Sequence, residues 1–201
     1  MDELLKLIDF IRIKYDEISD NWLSDDRYLP LNMKKNQVHD IYKSEKLLLY
    51  VFNYRTFINE IITDVMENVQ ELVFVNEISS RVKTLNSIQD KIERYELKSE
   101  SGKIPIKKCL NDIYGIRIVL IDKINYEDTI DFLKSKYDDL KFLSAVRGDG
   151  DYKAIHVYFG NNDNSRFQWE LQIWNKCDQQ SNLMSHAKHK QGYTKWEKEN
   201  I

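Results

Sequence analysis

The stretch RFQWELQIW, residues 166–174, shows the clearest two-residue alternation in the chain. One side of an extended strand would carry the apolar residues Trp169, Leu171 and Ile173. The opposite side would carry Gln168, Glu170, Gln172 and Trp174. Such a pattern is typical of a strand that packs one face on a core. Either solvent or a functional site explains the polar face, and both explanations stay open at this point.

A second strand, YKAIHVYF at residues 152–159, presents a similar polar face. Alternation places Lys153, Ile155, Val157 and Phe159 on one face, which is mostly core. The other face carries Tyr152, Ala154, His156 and Tyr158. If the two strands are neighbours, an imidazole, aromatic rings and a carboxylate line one surface. The sequence therefore predicts that the two polar faces form one site.

The order of the remaining segments predicts an α+β fold with a mixed β-sheet flanked by helices. Residues 1–68 are apolar at helical spacing, with a break around Pro30. They predict a helical N-terminal segment that packs on the rest of the chain. Residues 69–201 alternate short apolar strands with helices and are predicted to form the main domain.

The segment LNDIYGIRIVLID, residues 110–122, places an acid before a buried strand and an arginine inside it. Alternation puts Arg117 on the face opposite Ile116, and a buried arginine needs an anion or a flat group to stack on. Asp112 and Arg117 are an odd number of residues apart, so alternation would direct their side chains to opposite faces of one strand. Both reach one site only if an extra residue shifts the alternation between them. Gly115 is the expected position of such a bulge. A structural ion pair between Asp112 and Arg117 is the alternative.

The segment SSRVKTLNSIQDKIER, residues 79–94, predicts a helix with a cationic face near its start. Asn86 is the expected N-cap, with Gln89 completing a capping box. The face is formed by Ser87, Lys91 and Arg94, with Arg81 and Lys83 just upstream. Cations and a hydroxyl near a helix N-terminus suit a polyanion. A solvated lysine-rich helix is the alternative.

The composition limits the classes of partner. The 201 residues include 30 Lys and Arg against 33 Asp and Glu, so the net charge of -3 gives no global attraction to nucleic acid or an anionic membrane. Cys109 and Cys177 make no disulfide framework and suit a reducing cytosol. The N-terminus carries acids unlike a signal peptide, and no apolar run has the length of a membrane span. We expect a cytoplasmic protein that does not bind a membrane.

Several motifs in a fixed order resemble the synthetase domain of RelA/SpoT homologues, especially the single-domain small alarmone synthetases. They are SRVKTLNSIQDK, NDIYGIRIV, GDYKAIH, WELQIW and His186 in the closing helix, within residues 80–193. The resemblance implies a sheet like the nucleotidyltransferase palm and makes residues 69–201 the synthetase domain. It also implies an enzyme that moves the β,γ-pyrophosphate of ATP to the 3'-hydroxyl of GDP or GTP. The products would be AMP and the alarmone (p)ppGpp.

The resemblance assigns metal and ATP roles to particular residues. Asp112 and Glu170 match the family's Mg²⁺ ligands, and Glu170 also matches the base toward the attacking hydroxyl. Arg81 and Arg117 match the arginines that clamp adenine. The ATP phosphates are expected along Lys83, Ser87, Lys91 and Arg94.

The acceptor side matches the family less closely. The expected acceptor residues are Tyr152, whose ring would stack on guanine, Lys153, His156 and Gln172, with Arg147 and His186 in support. Trp174 stands where the family usually carries arginine. The loop RGDGDYKA, residues 147–154, is short and acidic where the family usually has a longer basic loop.

These departures leave the acceptor open. GDP or GTP is the prediction, and the 3'-CCA end of tRNA, the acceptor of toxin-like relatives, is the alternative because it has no free 5'-phosphate to grip. A catalytically weak relative that binds nucleotide or a partner protein as a sensor is the second alternative. The sequence leaves open whether the chain binds an antitoxin protein or forms a homo-oligomer.

Overall fold

The structure is a computed structural model that describes residues 1–26, 31–70, 75–97, 101–147 and 152–187. The helices are α1 (Asp2–Leu23), α2 (Val38–Lys43), α3 (Glu45–Gln70), α4 (Leu85–Leu97), α5 (Ile106–Cys109) and α6 (Tyr126–Lys136). The strands are β1 (Val75–Val82), β2 (Tyr114–Leu120), β3 (Lys141–Arg147), β4 (Tyr152–Phe159) and β5 (Trp169–Asn175). A 3₁₀ turn, Lys176–Asp178, then leads into α7 at residues 179–187. The predicted α+β class is confirmed.

The strands form one mixed sheet in the order β1-β2-β5-β4-β3. Strands β2 and β5 run parallel, and the other neighbours are antiparallel. The register places Gly115 opposite Glu170 and Arg117 opposite Gln172. On the other side of β5, His156 lies opposite Gln172. The two strands with predicted polar faces are therefore neighbours.

The helical N-terminal segment packs on the apolar face of the sheet. Ile11 of α1 and Leu171 of β5 belong to one buried cluster. Trp169 of β5 donates from Nε1 to the hydroxyl of Tyr54 on α3 at 2.9 Å, and meets Tyr15 of α1 edge-on. These contacts cover one face of the sheet and leave the other to the polar side chains. In the described part of the chain, no helix combines the length and apolar character needed to cross a membrane.

The predicted N-cap of α4 was wrong. Asn86 lies inside the helix, and Thr84 caps it instead: Thr84 Oγ1 accepts from the backbone N–H of Ser87 at 3.2 Å. The chain turns earlier than predicted because β1 ends at Val82, and the next N–H, of Lys83, donates to the carbonyl oxygen of residue 113 at 2.8 Å. The helix therefore begins directly after this contact.

The predicted bulge at Gly115 was also wrong. Both ladders of β2, which the structure describes along its whole length, keep an unbroken register through Gly115. The irregularity in the β1–β2 pair falls between Val75 and Glu77. Asp112 precedes β2 and lies in a turn, so the alternation rule for strands does not restrict its direction.

Candidate functional site

The polar face of the sheet gathers side chains from four strands. The register places on it Arg81 of β1, Arg117 of β2, Tyr152, His156 and Tyr158 of β4, and Glu170, Gln172 and Trp174 of β5. Glu170 and Gln172 are only 6% exposed, and His156 is 3% exposed. Side chains on a solvent-facing sheet would be largely accessible to water. Solvent therefore does not explain this face.

A cleft opens on this face between β1, β2 and β5. Its lining residues are Ser79, Ser80, Arg81, Gly115, Ile116, Arg117, Glu170 and Gln172. Burial lowers the pKa of Arg117, and the nearby charge of Arg81 lowers it further. Among the described residues, no hydrogen bond or ion pair engages the Arg81 guanidinium. The cleft thus brings two cations together and suits an anion or an electron-rich flat group.

Glu170 is held by three hydrogen bonds. Oε1 accepts from His156 Nδ1 at 2.7 Å and from the Tyr158 hydroxyl at 2.9 Å, while Oε2 accepts from Gln172 Nε2 at 2.8 Å. Burial acts to raise the pKa of Glu170, but the hydrogen bond and charge of His156 outweigh it, so the pKa lies below its ordinary value. A Cβ on Gly115 would stand 4.0 Å from Oε2. Glu170 is therefore an ionised carboxylate whose Oε2 faces the cleft.

Arg117 is fixed by an amide and an indole. Its guanidinium carbon lies 3.9 Å from the Trp174 ring centroid, and its Nε and Nη2 each donate to Gln172 Oε1 at 3.3 Å. The flat partner that a buried arginine needs is therefore Trp174. Gln172 uses its two ends differently, because its nitrogen donates to Glu170. Asp112 is not the partner of Arg117 among the described contacts, so the alternative ion pair was wrong.

Asp112 lies between two lysines. Lys83 Nζ donates to Oδ2 at 2.6 Å and Lys91 Nζ donates to Oδ1 at 3.0 Å, and all three side chains are 15–17% exposed. Burial acts to raise the pKa of Asp112, but the charges of Lys91 and Lys83 outweigh it and hold the pKa well below its usual range. These two lysines are therefore not solvated cations. They form a local positive cluster around one carboxylate.

The chemistry of Asp112 and Glu170 fits the predicted Mg²⁺ ion. In the ranges that the structure describes, no three His, Cys, Asp or Glu side chains form a ready-made metal site. Mg²⁺, however, usually takes one or two carboxylates and completes its shell with substrate phosphates and water. Both carboxyls have lowered pKa values and are ionised, and the charge of Asp112 acts on Glu170. Asp112 lies outside the set of residues that line the cleft, so the cleft alone does not bring the two carboxylates together.

Tyr152 lies in a closed cluster of rings. It is 2% exposed, and its hydroxyl lies 3.0 Å from His156 Nε2. His186 of α7 meets the Tyr152 ring edge-on at 5.2 Å between centroids and stacks on Trp174 at 5.8 Å. A base reaches the Tyr152 ring only if neighbours such as His186 move.

The other predicted residues of α4 take part in local contacts. Ser87 lies in the first turn, and its Oγ accepts from Thr84 Oγ1 at 2.9 Å. Arg94 donates from Nε to the carbonyl oxygen of Asp90 at 3.2 Å. Both lie on the helix that supplies Lys91, and neither lines the cleft.

One predicted acceptor residue, Lys153, is not brought to the polar face. Lys153 is exposed, and strand alternation directs it away from the face of Tyr152. Its backbone is held by Asn182 of α7, which accepts from the Lys153 N–H and donates to its carbonyl oxygen, both at 2.8 Å. The side chain of Arg147 lies outside the described part of the chain.

The sequence did not identify the roles of Tyr158 and Trp174. Alternation had already placed Tyr158 on the face of His156, and the pairing of β4 with β5 sets it opposite Glu170. In the sequence, Trp174 stands out only as a departure from the family pattern. The need of Arg117 for a flat partner was the signal that pointed to it.

Comparison with known proteins identifies one family. Residues 80–196, more than half of the chain, match the family model described as the region found in RelA / SpoT proteins. No curated protein matches the chain. Similar solved structures include three that represent two proteins. Small alarmone synthetase 1 from Bacillus subtilis bound to its product pppGpp has 17% identity and a TM-score of 0.44, and the match covers 73% of this chain and 83% of that chain. The same Bacillus subtilis synthetase bound to AMPCPP has 18% identity and a TM-score of 0.38, with 75% and 80% of the two chains covered. A GTP pyrophosphokinase family protein from Streptococcus pneumoniae has 17% identity and a TM-score of 0.45, with 75% and 78% covered.

Proposed function

The chain belongs to the family defined by the region found in RelA / SpoT proteins, and from that premise we propose that it is an ATP-dependent pyrophosphokinase. It transfers the β,γ-pyrophosphoryl group of ATP to the 3'-hydroxyl of GDP or GTP and releases AMP. The observation that carries this proposal is the buried, ionised Glu170 beside a cleft that Arg81 and Arg117 line. The Asp112 cluster lies at the same end of the central strands, just before β2.

The donor nucleotide binds with its base at the arginines and its phosphates at the lysines. A flat base stacks on a guanidinium plane, and Arg81 has no competing partner among the described residues. Lys83 and Lys91 are held together by the Asp112 carboxylate, so they form a preassembled site for a polyphosphate. Ser87 and Arg94 extend this site along α4.

Asp112 and Glu170 would hold Mg²⁺ together with the ATP phosphates. The ion, when bound, aligns the triphosphate and neutralises the charge that develops on leaving AMP. Both oxygens of Asp112 are hydrogen-bonded to lysines. Binding of ATP gives these lysines phosphate oxygens as new partners and so releases Asp112 for its second role.

The transfer step forms one bond and breaks one. The 3'-oxygen of the acceptor bonds to the β-phosphorus, the bond from that phosphorus to the α,β-bridging oxygen breaks, and AMP departs with that oxygen. Glu170 Oε2 accepts the hydroxyl proton, since Oε1 already accepts two hydrogen bonds and Oε2 accepts one. His156 and Tyr158 hold the carboxylate in the orientation that this transfer needs.

A guanine nucleotide is the acceptor that we propose. The net charge of -3 gives no general attraction to a polynucleotide. The acceptor approaches through the β4 side of the polar face, where Tyr152 and His156 lie next to Glu170. Its base stacks on Tyr152 after the ring cluster opens.

The proposal is tested by incubating the purified chain with γ-labelled ATP, Mg²⁺ and one acceptor at a time. GDP, GTP and deacylated tRNA are compared, and AMP is measured together with the labelled product. We expect labelled guanosine tetra- or pentaphosphate and an equal amount of AMP, and no transfer by the Glu170→Gln control. If only tRNA becomes labelled, the proposed acceptor is wrong, but the proposed pyrophosphokinase activity stands. Absence of transfer to every acceptor, with ATP still bound, would favour a nucleotide-binding sensor.

A further inference from the structure

Trp174 lies fixed on the polar face. It is fully buried and stands opposite Val119 of β2 in the sheet register. His186 stacks on one side of the indole, with ring planes 24° apart, and Tyr152 meets it edge-on at 6.1 Å. These contacts leave the indole little freedom to move. Any group that packs against its free side is held in a defined orientation.

Arg117 is that group. The 3.9 Å separation from the Trp174 ring centroid is a stacking distance, and the two hydrogen bonds to Gln172 fix the guanidinium along its edge. A planar guanidinium has two faces, so the indole occupies one of them. Arg117 also lines the cleft, which leaves the second face accessible from the cleft.

Arg81 completes the other side of this space. In the antiparallel β1–β2 pair, Ser79 lies opposite Arg117 and Arg81 lies opposite Gly115, so the two arginines are diagonal neighbours. Diagonal neighbours are about 7–8 Å apart. A flat ring in contact with a group on each side needs about twice the optimal carbon contact of 3.5–4.0 Å. The spacing of these two positions on the sheet therefore allows one aromatic base to fit between the arginine side chains.

We propose that Trp174 is a positioning residue that presents the Arg117 guanidinium, face-on, to the adenine of ATP. The inference rests on the proposed function, because it takes ATP as the donor. Indole is the aromatic ring that attracts a guanidinium most strongly. An arginine at position 174 would instead set a second cation against Arg117 and could not support it by stacking. Trp174 thus acts through Arg117 and does not touch the nucleotide.

The test separates binding of the base from binding of the phosphates. The Kd values of ATP and of inorganic tripolyphosphate are measured by calorimetry for the parent chain, Trp174→Leu and Trp174→Phe. Loss of the stacked ring should weaken ATP binding about 5- to 30-fold in the leucine variant and less in the phenylalanine variant. Tripolyphosphate binding should not change, because it uses the lysines. Val119→Ala is the matched control: it disturbs the same small apolar cluster but keeps the indole under Arg117, and it should bind ATP like the parent.

A second measurement covers the case that the leucine variant does not fold. ATP should change the tryptophan emission of the parent chain, and Trp174→Phe should lose that change while still binding ATP. Parent-like ATP affinity in Trp174→Leu, an equal loss of ATP and tripolyphosphate, or an emission change that persists in Trp174→Phe would each overturn the inference. ATP binding that depends on Trp174 without any transfer would contradict the proposed activity but support the positioning role. A parent chain that binds no ATP would overturn both.

Discussion

Replacing Glu170 with glutamine tests the hydrogen-bond network around the carboxylate that we propose as the base. The substitution keeps the shape of the side chain but removes its charge and puts an NH₂ group in place of one oxygen. His156 and Tyr158 donate to one oxygen of Glu170 and Gln172 donates to the other. Whichever way the new amide turns, its nitrogen therefore faces a donor. The network must rearrange before the variant can fold without a buried conflict.

The lower-energy rearrangement points the new nitrogen toward His156. An imidazole with its proton on Nε2 can donate to Tyr152 and accept from the new NH₂ group at Nδ1, and the Tyr158 oxygen can accept the second N–H. Turning the nitrogen toward Gln172 is worse, because a flip of that amide would lose both hydrogen bonds from Arg117. With the nitrogen toward His156, the contacts of residue 170 with His156, Tyr158 and Gln172 survive as neutral hydrogen bonds.

The expected cost follows from this exchange of charged for neutral bonds. A hydrogen bond to a charged group contributes about 1 kcal/mol more than a neutral one, and three are affected. Part of this loss is offset because the variant no longer buries a charge. The lowered pKa of Glu170 shows that the ionised form is favoured in the folded state, so the net change destabilises the fold. We expect a loss of about 1–2 kcal/mol at neutral pH.

Urea unfolding and product formation check the two halves of this argument. Because the folded pKa of Glu170 is depressed, its contribution is complete above the unfolded pKa of about 4.3 and is lost as the pH falls through the folded value. The difference in stability between parent and variant should therefore shrink in acid. Transfer should fall by about 10²- to 10⁴-fold with little change in ATP affinity. Equal stability at neutral pH would refute the network argument, and parent-like turnover would end the role of Glu170 as base.

Substitutions at three further residues test other parts of the site and the fold. Asp112→Asn should raise the Mg²⁺ concentration needed for half-maximal transfer, and an unchanged Mg²⁺ titration would remove Asp112 from the ligand set. The same variant removes the charge that pairs with Lys83 and Lys91, so its free energy of unfolding in urea at neutral pH should fall by about 1–3 kcal/mol. Tyr152→Ala should lose about 1–3 kcal/mol of acceptor binding in titrations, whereas Tyr152→Phe should keep most of it; equal losses would assign the effect to the hydroxyl. Tyr54→Phe should lower the free energy of unfolding by about 1–3 kcal/mol without affecting transfer, because Trp169 Nε1 loses its buried acceptor, and a large loss of transfer would show that α3 contributes to the site.

The strands of the polar face were predictable because side-chain alternation is a local property. A period of two residues fixed which side chains of 152–159 and 169–175 share a face, whatever the neighbouring strand is. The insertion of β5 between β2 and β4 is decided by long-range pairing, which alternation does not determine. The prediction of a bulge at Gly115 was wrong for a related reason. The bulge would have turned Asp112 to the same face as Arg117 if both lay in the strand, but Asp112 lies in a turn before the strand.

The partners of Asp112 show the same limit at the site. Its carboxylate meets Lys83 and Lys91 because α4 crosses near the turn before β2, and the backbone of Lys83 is bonded to residue 113. Helical spacing predicts a cationic face that includes Lys91, with Lys83 just upstream, and the family resemblance assigns both lysines to the ATP phosphates. Sequence spacing alone does not show that both lysines contact one carboxylate. A positive cluster that already surrounds an acid is an electrostatic arrangement of three segments, and no single segment specifies it.

Gln172 connects two parts of the site that the sequence does not link. Resemblance assigned it to the acceptor, but in the fold one end of its amide donates to Glu170 and the other accepts from Arg117. Because an amide has a distinct donor and acceptor end, these two contacts fix its orientation and hold the carboxylate and the guanidinium in register with each other. A change at Arg117 should therefore be felt at Glu170, and the effects of substitutions at the two residues should not add. One amide therefore joins Arg117, the proposed contact of the donor base, to Glu170, the proposed base. Strand alternation places Gln172 on the polar face, but only the pairing of three strands shows that it connects these two side chains.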